Sequence, residues 1–221
     1  MKTHFHMKKY LLITVLLSAI STASFAQDNL SWGPMAGVSI SNFRGDVSNT
    51  AWKTGFTGGL FINYSIVDRF GIGGQLLYTQ LGAKVKNSDA ETRLNYVQVP
   101  ILATFYLNGR GHAVRPKLFV GPHVGFLVAA RDQNGNNLNA DSNNKQFTGM
   151  DAGLTLGGGL NYRLNNRMWL NADVRYGLGL VDVVKNTNVA VYNKNWGVNL
   201  GLSFPLGKYT PSSGKFTPSR R

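Results

Sequence analysis

The chain contains no cysteine. That excludes disulfides, thiolate nucleophiles, cysteine-held metals and a lipid anchor attached through a cysteine. Charge is scarce as well: Asp, Glu, Lys and Arg make up 15% of 221 residues, against the usual quarter, and acidic residues number only 10 against 23 basic ones. After the N-terminal region no apolar run approaches eighteen residues, so no membrane-crossing helix is expected there. What the chain does have is glycine, 26 residues of it, with abundant Asn and aromatics. This mixture is unusual for a soluble protein and fits one whose outside faces lipid.

The N-terminus reads as an export signal. Lys2, Lys8 and Lys9 precede the apolar run Tyr10–Ile20, and Ser24-Phe25-Ala26 supplies small residues at positions −3 and −1 of a cleavage site. A retained membrane anchor is the rival, but the run is short for a span. Residues 1–26 are therefore expected to be removed, leaving a single domain over 27–208 and a basic, unstructured tail over 209–221. His4 and His6 leave with the signal and are not metal ligands. Loss of the three lysines lowers the formal charge from +13 to +10. Such an excess can mark a nucleic-acid binder, but export and the lack of any helix or RNA-binding motif argue against that partner.

A period of two dominates the rest. In Met150–Val183 the apolar parity holds Met150, Ala152, Leu154, Leu156, Leu160, Tyr162 and Leu164. After Asn165-Asn166-Arg167 it continues through Met168, Leu170, Ala172, Val174, Tyr176, Leu178 and Leu180. The other parity is polar or glycine. This is the pattern of a hairpin of long strands, each with one apolar face. It recurs in eight segments: Ser31–Phe43, Thr54–Val67, Phe70–Val85, Leu94–Leu107, Lys117–Ala130, Phe147–Leu164, Met168–Val183 and Lys194–Leu206. The links alternate between short (68–69, 108–116, 165–167) and long (44–53, 86–93, 131–146, 184–193). The expected fold is an all-β, eight-stranded antiparallel, up-and-down transmembrane barrel, with both termini on the short-turn, periplasmic side of the outer membrane.

Alternation alone does not say which face is outside, because a lipocalin-type barrel turns its apolar face inward. Two observations decide for lipid. The polar face is mostly Gly, Asn, Thr and Ser rather than Lys and Glu. The apolar-face aromatics also fall into two sets. Phe56, Tyr78, Phe126, Tyr176 and Trp196 lie toward the long links; Trp32, Tyr64, Phe70, Phe105, Tyr162 and Phe204 lie toward the short ones. Phe56 and Tyr64 are eight residues apart, which in a tilted strand is about 20 Å of height. Two aromatic girdles flanking an apolar band are expected of a lipid face.

Matching parity across the turn at 165–167 puts Arg163 opposite Trp169, Asp173 opposite Gly159 and Arg175 opposite Gly157. Glycine across the strand pair makes room for long charged side chains in a lumen that eight strands leave just wide enough to fill. Asp151, Arg163, Asp173 and Arg175 are the charges deep in these segments, and burial calls for partners. They are expected to form an ion-paired plug, with conduction as the alternative role. Arg110, Arg115, Lys117, Arg167 and Lys208 gather at the expected periplasmic end. There they would meet anionic inner-leaflet lipid or dock a periplasmic envelope partner.

Three motifs resemble the small outer-membrane β-barrel domain widespread in Bacteroidetes, the "porin family protein" type that includes PorT-like barrels implicated in protein secretion. Gln75–Lys84 (QLLYTQLGAK) is similar to that family's "pELlYsqkGak" strand, Leu94–Pro100 (LNYVQVP) to its "lnYleiPl" strand and Gly121–Leu127 (GPHVGFL) to its "aGpyvgyll" strand. Arg175-Tyr176 and Asp182 fit its closing "rY..gl.di" pattern. The resemblance covers Trp32–Lys208 and implies a fold and an outer-membrane location, with no agreed activity. Gln75 stands where the family has Glu, so a carboxylate role there does not transfer.

No enzyme motif rises above its structural reading. His123 is expected to face the lumen, whereas barrel enzymes acting on lipids carry His with Ser or a carboxylate on the outer face. Gly157-Gly158-Gly159 lacks the Lys and Ser/Thr of a phosphate loop. Asp132–Asn136 has a misplaced glycine for a calcium loop, and Asn143 stands where the twelfth-position Glu should be. No cofactor or metal is expected. The expected protein is a monomeric, non-enzymatic structural or interaction component of the cell envelope in contact with outer-membrane lipid. A narrow channel for ions or small solutes is the alternative, and a lipid-modifying barrel enzyme a third.

Overall fold

The computed structural model describes residues 29–141, 145–185, 189–206, 208–210 and 215–217. The expected signal segment lies outside them. The strands are β1 (Leu30–Gly45), β2 (Thr50–Ala51), β3 (Lys53–Val67), β4 (Phe70–Val85), β5 (Glu91–Tyr106), β6 (Val114–Arg131), β7 (Met150–Asn165), β8 (Met168–Gly179), β9 (Val191–Pro205), β10 (Lys208–Thr210) and β11 (Lys215–Thr217). The eight long ones form a closed, all-antiparallel barrel in sequence order, with β4 pairing β5 and β9 closing on β1. Closure satisfies each strand's backbone polar groups within the wall, the condition for crossing hydrocarbon.

Ser31 pairs with Pro205 and Leu30 with Tyr64, so both ends of the barrel chain lie beside the turn at residues 68–69. The other short links, 107–113 and 166–167, share that end. The links at 46–52 and 86–90, and the described residues of the links after β6 and β8, gather at the opposite one. In the β7–β8 turn, Arg167 N donates to Asn165 Oδ1 at 2.8 Å, and the register shifts between Arg163 and Asn165.

All eight expected strands are present, with shifted borders. β6 begins at Val114, three residues early, because Val114 already pairs with Tyr162. β8 ends at Gly179 rather than Val183. The Asp182 carboxylate accepts from the backbone N–H of both Val184 and Val191, each at 3.0 Å, and this folds the chain out of the ladder. The link after β1 contains β2, which pairs with the far end of β4. Where the tail over 209–221 is expected to be unstructured, Lys208–Thr210, beginning at the last barrel residue, and Lys215–Thr217 pair as an antiparallel ribbon. The Thr-, Tyr- and Phe-bearing triplets favour extended backbone.

The outer face is a continuous band of exposed Leu, Val and Ile. All eleven girdle aromatics stand on it. Trp32 pairs with Phe204 at 5.9 Å between ring centroids, and Tyr176 with Trp196 at 4.9 Å. The buried side chains lie inside the barrel.

Candidate functional site

The lumen is filled at three heights. In the middle, β8 turns Asp173 and Arg175 inward and β6 turns Lys117 toward them. Lys117 Nζ is 2.7 Å from Asp173 Oδ1, and Arg175 Nη2 is 3.5 Å from Asp173 Oδ2. Arg175 Nη1 also donates across the barrel to Gln75 Oε1 at 2.8 Å. The three charged side chains are buried, and the Phe119 ring flanks both cations. The registers Gly157↔Arg175 and Gly159↔Asp173 show how the site fits. A Cβ at Gly159 would stand 2.6 Å from Asp173 Oδ1, and one at Gly157 would stand 2.6 Å from the Phe119 ring. Beside this layer lies the buried apolar trio Met35, Phe61 and Leu77.

The four charges read as one plug therefore divide. Asp173 and Arg175 meet, while Asp151 and Arg163 have described contacts of their own. Asp151 lies six residues along β7 from Gly157, which is opposite Arg175, about 15 Å of barrel height; Arg163 lies four residues from Gly159, which is opposite Asp173, about 10 Å. Asp151 accepts from Asn193 Nδ2 at 2.8 Å, in a layer that includes the Tyr96 hydroxyl. Arg163 lies over the Trp169 ring at 5.9 Å.

The basic set divides too. Lys117 belongs to the central layer, a correction that follows from the early start of β6: three residues into the strand, it points inward. Arg115 is also inward and buried. Its guanidinium lies over Tyr106 at 4.0 Å and donates to Asp68 O at 2.9 Å. Arg110 folds across the same mouth, donating to Asn29 Oδ1 at 2.7 Å, Ser65 O at 3.0 Å and Val67 O at 3.1 Å. Arg167 is exposed on its turn. The side chain of Lys208 lies outside the described residues.

At the long-link end the lumen also holds an apolar cluster, which sequence reading missed. Leu81, Leu94, Tyr96, Ala130 and Phe147 form a buried cluster, covered by Phe43, Leu127, Leu138 and Val184. Phe147 and Leu138 come from the β6–β7 connection, held there by reciprocal bonds between Asn139 and the Phe147 backbone. The readable signal was the apolar residues of the inward parity of β4 and β5, where polar ones were expected.

His123 is buried in the lumen, its Nδ1 2.9 Å from Thr155 Oγ1. A hydroxyl beside an imidazole is half of a nucleophile–base pair. No group orients the other ring nitrogen among the described contacts, and the pair is enclosed by the wall. Among the described residues, no three His, Asp or Glu side chains gather as metal ligands.

A lipid-facing band between aromatic girdles, around a filled eight-stranded lumen, is the design of an outer-membrane barrel. The family comparison agrees, since the model of the outer membrane protein beta-barrel domain matches residues 25–185. The chain belongs to that family. No curated protein matches it in sequence. Among solved structures, it is similar to Neisserial surface protein A, with 15% identity, 79% of this chain and 96% of that one covered, and a TM-score of 0.53. It is also similar to the E. coli outer membrane protein W, with 14% identity, 80% and 97% covered, and a TM-score of 0.50. At these identities the likeness concerns the fold alone.

Proposed function

We propose that this outer-membrane barrel is a closed wall protein with a structural or interaction role in the envelope, neither conducting solutes nor catalysing a reaction. Its termini and short turns stand in the periplasm and its long links outside. The observation that carries this reading is the three-level filling of the lumen. Arg110 and Arg115 are latched across one mouth, the Lys117–Asp173–Arg175 cluster occupies the middle, and the Phe147-centred apolar cap closes the other end. A hydrated ion would have to part all three.

Planar-bilayer recording of the refolded chain should give no steady conductance steps. Steps that change when Asp173 or Arg175 is neutralised would overturn the closed reading in favour of a narrow channel. One observation favours that second reading. The buried amides of Asn171 and Asn199 find no protein partner among the described residues, and such groups call for water.

A further inference from the structure

Next to the apolar cap, the wall carries a basic patch on its outer side. Leu94 of β5 and Ala130 of β6 are paired and buried in the cap. The next pair along is Arg93↔Arg131, and successive residues of a strand point to opposite faces, so these two arginines face outward together. On the adjoining strand Gly82 is opposite Arg93 and Lys84 is opposite Glu91. Glu91 Oε1 accepts from Arg93 Nη2 at 2.6 Å, and Glu91 is the residue opposite Lys84.

Arg131 is exposed, and no hydrogen bond or ion pair reaches its side chain among the described residues. The adjacent Asp132 does not neutralise it, because that carboxylate is turned to Asn134 and Asn136 of its own loop. Like charges directly opposite on one face destabilise a strand pair. A folded wall that keeps such a pair, with Lys84 alongside, is a surface prepared for an anion.

Height narrows the anion's identity. Tyr78 and Phe126 of the upper girdle both pair with Val97, and Arg93 lies four residues beyond it, about 10 Å further along the barrel axis. The polar layer extends roughly 5–8 Å past the hydrocarbon. Long arginine side chains close the difference by reaching back toward the membrane. We infer that Lys84, Arg93 and Arg131 bind the phosphate groups of a phosphorylated saccharolipid in the outer leaflet, fixing the barrel against its lipid neighbours. The inference rests on the proposed orientation, with the long links outside.

The full-length chain, purified in detergent, would be mixed with lipid A or dephosphorylated lipid A, and the retained lipid counted by native mass spectrometry. Lipid A should be retained and its dephosphorylated form lost. R131Q should lower retention about fivefold and R93Q/R131Q about fivefold again. R167Q, at the opposite end, should change nothing. Heat-modifiable migration checks the fold, and R131Q, altering one exposed strand end, serves if the double variant does not fold. Equal retention of dephosphorylated lipid A, or unchanged retention by R131Q, would overturn the patch itself. A cysteine placed at Gln133 reports orientation separately on intact cells: if it is inaccessible, the orientation falls, and with it the outer-leaflet source.

Discussion

Asp173 is the residue on which the lumen depends most. It faces two buried cations, so removing it takes the anion from both and leaves Arg175 only its bond to Gln75, whereas removing Lys117 leaves Asp173 with Arg175. D173N is therefore expected to cost about 3–5 kcal/mol, the usual penalty for breaking a buried pair. K117M should cost clearly less. Urea unfolding followed by heat-modifiable migration measures both, and equal losses would show that the cluster does not act through Asp173. The opposing glycines were legible because parity across a tight turn fixes which residues meet. The Lys117 contact was not, because it joins β6 to β8 across β7, and no local pattern reports a contact made through the lumen.

At the scale of elements, the strands follow from the two-residue period and the links from their breaks. The start of the β6–β7 link, Asp132–Asn136, has order of its own. The Asp132 carboxyl accepts from the Asn136 side chain and from the N–H groups of Asn136 and Asn134. These bonds hold its pKa below the ordinary aspartate range. A depressed folded value means that the loop's stabilisation is present above the unfolded pKa and is lost as pH falls through the folded one. The Asn134 and Asn136 amide resonances should thus titrate together with a midpoint below the usual aspartate value of about 3.9, and D132N should abolish the transition. A midpoint at or above that value would count against the capped loop.

The limits of legibility at this scale are also physical. The lipid face has to be apolar at every outward position, so its parity survives in the sequence. The inward face has only to be filled, so Leu81, Leu94 and Tyr96 can replace polar residues near the cap. On β6 the register shift opposite Asn95/Tyr96 leaves Val128 without a partner, and this extra residue turns Ala130 inward although the strand's other inward residues have odd numbers.

For the whole molecule, the absence of cysteine makes orientation directly testable. Q133C, on a long link, should react with an impermeant maleimide on intact cells, and R167C, on a short turn, only after the envelope is opened. The reverse result would invert the proposed topology and move the basic patch to the other leaflet.

The sequence by itself determined the class of fold, the eight barrel strands and the lipid-facing side. Each is enforced residue by residue by a solvent, hydrocarbon, that acts on every strand alike. Tertiary structure alone decided the Lys117–Asp173–Arg175 cluster, the placing of Asp151 beside Asn193, the apolar cap, and the meeting of Arg93 with Arg131. These contacts join residues far apart in the chain, and they follow from the register and closure of the barrel rather than from the period of any one strand.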